Sequence, residues 1–534
     1  MLKRTPLKTC TAIQRGEMAN RRRFHVSTVA FLLTVLAFGA GMAGAAESAE
    51  KELRDDWSAM YLRGQRVGYV HTRVVEQRVG ERRLYLTSEH DEMSLGRIGV
   101  ANTLLSDSRL LEDAGGRLVS FEYSTTQTQG KIVLKQVVRG EVSNGQVTVT
   151  TGIGSNAQST TVPAPKGLCL WAFENVQRAK GYEPGTTYSV PVFVPQVPTL
   201  PCAATVKVGE RQSKEMFEIT RWLQPVEVEL SCVPIGAQTV WVDEEGETWL
   251  IEVPFGSLDL QFRKVSKEIA LQPLEKVEIL LSTAILPDRP IPNPRSLERL
   301  QVLVTRTGES ALPLALPSGP YQEVSKTEDG LRVTTIRAHP HPDKSYQLPY
   351  TGDEWKDLLK PTGWLEVKDP LIVEMSKEAV GGETDALSAA LKIEDYVSDK
   401  ITEKGLGLGF ATALETARQK AGDCTEHAVL VAALARAAGI PSRVVTGLAY
   451  GGPMPGDTEA KFFYHMWAEV YVGEWHPLDA ALGSHDATHI AMTRSPLDLP
   501  SDIVSMSGDA MAFLGLTAIK VLDVGEEAAA PASK

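Results

Sequence analysis

At 534 residues the chain is too long for a single ordinary hydrophobic core, and about two to four domains are expected. Its composition, 43% hydrophobic and 23% charged with a mean hydropathy of −0.12, is that of a soluble globular protein. A formal net charge of −12 argues against nucleic acid or an anionic membrane surface as a partner.

The amino-terminal residues differ from the rest. Residues 1–45 carry seven Lys/Arg against one acid, Glu17, and then the uncharged run VSTVAFLLTVLAFGAGMAGA. A basic head, an apolar run and an Ala43-Gly44-Ala45 site describe a signal peptide cut after Ala45. The competing reading is a membrane anchor, since the apolar run is nearly long enough to span; its Gly/Ala-rich end favours cleavage. The segment after Met18 is itself a complete signal peptide, so either Met1 or Met18 could be the start. Arg21-Arg22-Arg23-Phe24 weakly resembles a twin-arginine export signal. A periplasmic or secreted location follows, membrane-anchored only if the leader is retained.

Residues 46–270 are expected to form an antiparallel β-sheet domain. Short alternating runs are split by turn signals at Gly64, Asn144-Gly145 and Gly246, and helical periodicity is nearly absent. Cys202 and Cys232 lie in strand-like segments and could pair in an exported chain, though sequence does not fix connectivity. Residues 271–368 read as a second β-rich domain. Inside it, LPDRPIPNPRS is expected to be an extended surface loop, because proline cannot donate to a strand ladder. His339 and His341 flank Pro340, and without a third ligand nearby they read as a solvated loop. Residues 525–534 read as a disordered tail.

Helical signals begin after Trp355 and mark an α+β domain over 369–524. Asp369 is an N-cap with Pro370 at the first helical position and Gly381 as the stop. The segment from Thr425 to Ala438 is apolar nearly all round and therefore a buried helix, with Gly439 and Pro441 ending it. Cys424 stands at its first turn, where unpaired N–H groups and the helix dipole favour thiolate over thiol. From position alone Cys424 is either a nucleophile or a small core residue.

A nucleophilic cysteine in acyl transfer needs a base and a group that orients the base. In FFYHMWAEVYVGEWHPLDAAL, His465, Trp467, Glu469 and Tyr471 share one strand face, and Met466, Ala468, Val470 and Val472 the other. A three-residue loop over Val472–Glu474 would place Trp467 opposite Asp479 and His465 on the same-face diagonal. A two-residue loop would turn Asp479 to the wrong face. Singly, each residue has a structural reading.

Together, GDCTEHAVLVAALARAAGIPSRVVTGL and HMWAEVYVGEWHPLDA resemble the transglutaminase-like superfamily of papain-like thiol enzymes. The resemblance runs from about Leu371 to Leu482. It implies that Cys424 is the nucleophile, His465 the base and Asp479 the orienting acid, with Trp467 and Arg443 structural. The Cys424 N–H would supply one oxyanion donor. Trp364 is far in sequence from the position of the second, and Tyr396 and Gln419 are the other candidates. Glu426, His427, His485 and His489 are expected to be structural. The loops at GSHDATHI and YGGPMPGDTEAKFF could border the cleft.

The expected activity is cleavage or transfer of acyl groups from peptide or protein amides, in the cell envelope or outside it, through a cysteine thioester with hydrolysis favoured. The alternatives are a protein cross-linking enzyme and a catalytically idle envelope scaffold. No cofactor and no metal site are expected.

Overall fold

The computed structural model describes residues 50–97, 100–129, 132–153, 156–217, 219–232, 237–255, 258–274, 284–307, 314–402, 411–453, 458–498, 502, 506 and 517–525. The leader and nearly all of the expected tail lie outside these residues.

Between Lys51 and Val265 the described residues form one antiparallel sheet of fifteen strands. Successive hairpins run from Asn156–Pro163 at one end back to Lys51–Leu62. That strand pairs with Leu258–Val265, and the sheet continues to Thr187–Val192 at the other end. The hairpin chemistry is local. Arg63-Gly64 and Asn144-Gly145 are two-residue loops with φ of 51° and 77°, and of 51° and 73°. Left-handed pairs of this kind match the twist of the strands they join. In the turn at Gly246, the Asp243 carboxylate accepts the N–H groups of Glu245 and Glu247. The antiparallel register that pairs Ala204 with Leu230 carries on to set Cys202 opposite Cys232, and the two form a disulfide.

A helix, Leu170–Lys180, lies within this region, where the sequence showed almost no helical periodicity. Its N-cap is Cys169, which supplies no side-chain cap, and none of its residues is fully buried. Neither a cap nor an apolar stripe therefore advertises it. It is held to the sheet by Glu174, whose carboxylate pairs with Arg54 at 2.5 Å.

Further on, Arg299–Arg306, Gln322–Lys326 and Leu331–Ile336 form a four-stranded sheet whose remaining strand is Thr517–Val524, from the far end of the chain. Its core joins Ile285, Ile291 and Val302 to Leu448, Tyr450, Phe462 and Ile490. The proline-rich stretch before Leu297 is the extended surface loop its prolines suggested, with Leu286, Asp288, Arg289, Pro290, Pro292 and Asn293 exposed, but it is anchored at a few points. Ile291 is buried and its N–H reaches the Tyr450 hydroxyl at 3.2 Å, while Asp288 accepts the N–H of Val521 at 2.7 Å. Prolines remove ladder donors, but they leave apolar side chains free to pack. His339 and His341 remain largely exposed and pair with Glu298 and Glu474.

The α+β region holds the helices Pro370–Val380, Ala386–Lys400, Ala413–Gln419 and Cys424–Ala437, with a sheet ordered Trp475–Leu478, Lys461–Tyr471, Ser442–Gly451, Ile490–Ser495. Asp369 caps its helix by accepting the Leu371 N–H, and Gly381 ends it at φ 61°. The helix Cys424–Ala437 is buried from Cys424 to Arg436 and packs on Met466, Ala468 and Val470, the strand face expected to be apolar. Each fully buried Val or Leu there contributes about 1.5–3 kcal/mol. Arg436 is accommodated by donating to the backbone carbonyls of Lys360, Ser442 and Pro496. The architecture is multidomain: a large antiparallel β region, then a smaller α+β region. No helix among the described residues is long and apolar enough to cross a membrane.

Candidate active site

Helix entry at Cys424 is fixed by two acids. The Asp423 carboxylate accepts the Thr425 N–H at 2.8 Å. Glu426 reaches back to the N–H groups of Asp423 at 2.8 Å and Ala411 at 3.0 Å. This is a reciprocal capping box, which satisfies donors that the first turn would otherwise leave unpaired. Burial, and then the neighbouring Asp423, push the Glu426 carboxyl well above the usual range. Cys424 follows directly, 8% exposed. The residue is buried and belongs to the core cluster that includes Ala428, Met466 and Ala468. The other free cysteine among the described residues, Cys169, has its thiol pushed up by burial and then by Glu112 and Asp113.

His465 and Asp479 meet because of the turn between their strands. Tyr471 pairs with Trp475, so residues 472–474 form the three-residue loop, and the same register extends to set Trp467 opposite Asp479. Gly473 makes the loop possible. Its φ is 100°, and a Cβ there would stand 1.9 Å from the Lys344 carbonyl oxygen. Asp479 lies one residue past the strand end, and its Oδ2 is 2.7 Å from His465 Nε2. The other ring nitrogen, Nδ1, is left for the Cys424 thiol, which lies close enough to act on the charge of the imidazole. Burial opposes an imidazolium here, but Asp479 and Cys424 outweigh it and raise the His465 pKa to about 9. Burial likewise opposes charge on Asp479. His465 and His489 overcome it and hold the carboxyl well below the usual range.

Two residues that sequence reasoning left unassigned or structural prove to touch this aspartate. His489 Nε2 lies 2.9 Å from Asp479 Oδ2, and the Asp479 N–H donates to Glu394 Oε1 at 2.5 Å. Burial raises the Glu394 pKa to about 8, with Asp479 adding to it against the opposing backbone hydrogen bond. Neither contact had a local signal. Glu394 sits mid-helix, 85 residues before its partner. His489 lies in GSHDATHI, which packs beneath Asp479 as well as following it.

Trp467 forms the floor of the site, its ring 6.3 Å from His465, 5.2 Å from His489 and 5.8 Å from His485. Gly447, opposite His465 in the adjoining strand, admits that ring: a Cβ there would stand 2.8 Å from Trp467 and 2.1 Å from the Ile490 carbonyl oxygen. Arg443 pairs with Glu469 at 2.6 Å and covers the Trp475 ring at 3.7 Å, a packing arrangement. The Tyr396 hydroxyl donates to Glu378 at 2.6 Å, which turns it away from an oxyanion role. Gln419 is exposed, and Trp364 is fully buried in the core that also contains Cys424. Residues 454–457 of the expected cleft loop lie outside the described residues.

Among the described residues, His465, Asp479 and His489 form the group with metal-like spacing, their atoms lying within 4.8 Å of one another. Both imidazoles, however, direct Nε2 at one carboxylate oxygen at hydrogen-bond distance, so the group is closed by hydrogen bonds and is not assigned as a metal centre.

Residues 373–480 match the model of the transglutaminase-like superfamily. This part of the chain is a transglutaminase-like domain. Cys424, His465 and Asp479 all fall inside the matched residues, and the domain is of the cysteine hydrolase or transferase kind. No curated protein matches the sequence. Solved structures give distant likenesses. A candidate cysteine protease from Cytophaga hutchinsonii is 16% identical, covering 45% of this chain and 89% of that one, with a TM-score of 0.27. A β-barrel-like protein of a domain of unknown function from Brucella abortus is 14% identical over 40% of this chain and 96% of that one, also at 0.27. A candidate protease from Parabacteroides distasonis is 11% identical over 71% and 68%, at 0.20.

Proposed function

We propose that the protein is an exported cysteine amidase or peptidase that acts on peptide or protein amides of the cell envelope. The observation that carries this reading is the position of His465, hydrogen-bonded to Asp479 and close enough to Cys424 for the thiol to act on its charge. The Cys424 thiolate attacks the amide carbonyl carbon, and the backbone N–H of Cys424 at the helix start stabilises the oxyanion. His465, as imidazolium, gives its proton to the departing amine as the C–N bond breaks, leaving a thioester. His465 then takes a proton from water, the hydroxide attacks the thioester, and the carboxylic acid leaves as the thiol is restored. Asp479 keeps Nδ1 of His465 directed at sulfur and stabilises the imidazolium.

Export rests on the basic and apolar leader of residues 1–45, and the strongly acidic body fits a substrate that is not a polyanion.

The test is incubation of the mature protein with an unstructured peptide substrate, with and without a fluorescent primary amine. Cys424-dependent release of peptide amines or ammonia with little incorporation of the fluorescent amine supports hydrolysis. Dominant incorporation would assign cross-linking instead. Absence of any Cys424-dependent product would reject enzymatic acyl transfer.

A further inference from the structure

We propose that His489 is a positioning residue for Asp479, and that Asp486 and Arg295 hold it there, so the stretch before Leu297 helps to set the geometry of the reacting pair. The inference rests on the proposed acyl transfer at Cys424.

Asp479 accepts from four donors: at Oδ1 the N–H groups of Ala481 at 3.0 Å and Leu482 at 3.1 Å, at Oδ2 His465 at 2.7 Å and His489 at 2.9 Å. An ionised carboxylate can only accept, so both imidazoles present Nε2–H to it. For His465 that assignment frees Nδ1 to face sulfur. His489 thus fills the last acceptor position on the oxygen that orients His465, and it prevents the carboxylate from rotating away.

The second imidazole is itself held. His489 Nδ1 faces Asp486, 3.2 Å from its N–H and 3.1 Å from its carbonyl oxygen. Asp486 Oδ1 accepts from the Thr488 N–H at 2.7 Å and hydroxyl at 2.6 Å, and its Oδ2 pairs with Arg295. Arg295 also donates to the Tyr450 carbonyl. The chain of contacts from sulfur therefore runs through His465, Asp479, His489 and Asp486 to a cation that lies 170 residues earlier in sequence than His465. The side chains of His489 and Asp486 are fully buried, and a buried ionic network of this kind is a weak way to gain stability. Besides Asp479 and Asp486, the titratable groups facing His489 among the described residues are His485 at 4.3 Å and His465 at 5.6 Å between ring centroids, with Arg295 acting through Asp486.

The experiment measures kcat, KM and the alkaline limb of kcat/KM against pH for the full chain and for His489→Gln, His489→Leu and Arg295→Met. The rate of Cys424 carboxamidomethylation is followed in parallel, because it needs no substrate. The alkaline limb belongs to His465, near pH 9. Loss of the His489 donor leaves more of the Asp479 charge to His465, so His489→Leu is expected to move that limb upward. It should also lower kcat about tenfold or more with KM little changed. Glutamine can still donate an N–H to Asp479 and should retain most of the rate. Arg295→Met, outside the core of the site, should give a smaller change of the same sign. A folded His489→Leu with wild-type kcat and limb, or equal losses in Gln and Leu with the limb unmoved, would overturn the positioning role. Should Cys424 in the unaltered protein alkylate no faster than in His465→Ala, the proposed function falls, and this inference with it. Fast alkylation that is indifferent to His489 and Arg295 would overturn this inference alone.

Discussion

The backbone N–H of Asp479 donates to Oε1 of Glu394 at 2.5 Å, tying the residue that orients His465 to the helix Ala386–Lys400. The carboxyl is buried, and its pKa of about 8 means that the protein carries it protonated through neutral pH. An unfolded Glu titrates near 4.3, so the folded state binds more protons than the unfolded state between roughly pH 4 and 8. The stability this group contributes is present below the unfolded pKa and is lost as pH rises through the folded one. His465, raised to about 9, acts in the same direction at its own, higher window. The denaturation midpoint is therefore expected to fall from pH 6 to pH 9 in wild type, and less steeply in Glu394→Gln, which keeps an acceptor for the Asp479 N–H. Denaturant titrations at both pH values check this.

Asp479→Asn retains the shape of the side chain but offers a donor as well as an acceptor, and no longer stabilises an imidazolium. The tautomer of His465 that faces sulfur is then no longer enforced. Turnover is expected to drop by about 10²–10⁴-fold with the fold intact, by the logic of orienting acids in hydrolytic triads. Steady-state kinetics alongside circular dichroism would show it.

Gly447 is expected to tolerate no side chain. A Cβ would press on both Trp467 and the Ile490 carbonyl, and Trp467 is the floor beneath His465. Gly447→Ala should cost about 1–3 kcal/mol in stability and reduce turnover by shifting that floor. Denaturant unfolding and kcat are the two readouts.

The Cys202–Cys232 disulfide closes a loop with a sequence separation of 30 in the large sheet. Replacing both cysteines with alanine is expected to destabilise that region by about 3–4 kcal/mol on the loop-entropy argument. No candidate site residue lies in that sheet, so Cys424 alkylation at 25 °C should be unchanged. Proteolysis mapping of the sheet and alkylation kinetics together test the separation.

What the sequence made legible was what short-range chemistry controls. The apolar run from Thr425 to Ala438 announces the buried helix that begins at Cys424, and Gly439 and Pro441 announce its end. The hairpin at Gly473 could be reasoned to the right loop length because alternation admits only an odd turn if His465 and Asp479 are to share a face. The contacts made across long separations were invisible. Thr517–Val524 pairs with Arg299–Arg306 although more than two hundred residues lie between them, and nothing in either strand encodes its partner. Glu394 and His489 reach Asp479 from elements whose local pattern is that of an ordinary helix and an ordinary loop. The helix Leu170–Lys180 went unread because it lacks both a capping side chain and a buried stripe.

The central claim, that Cys424 is activated by His465 under the control of Asp479, is tested most directly by native alkylation. Iodoacetamide at neutral pH, followed by peptide mass mapping, gives separate rates for Cys424 and Cys169 in the unaltered protein and in His465→Ala and Asp479→Asn. The account predicts selective labelling of Cys424, slowed about tenfold or more in His465→Ala and by a smaller factor in Asp479→Asn, with Cys169 unlabelled until the protein unfolds. Labelling of Cys424 at the same rate in all three proteins, or only after denaturation, would contradict it.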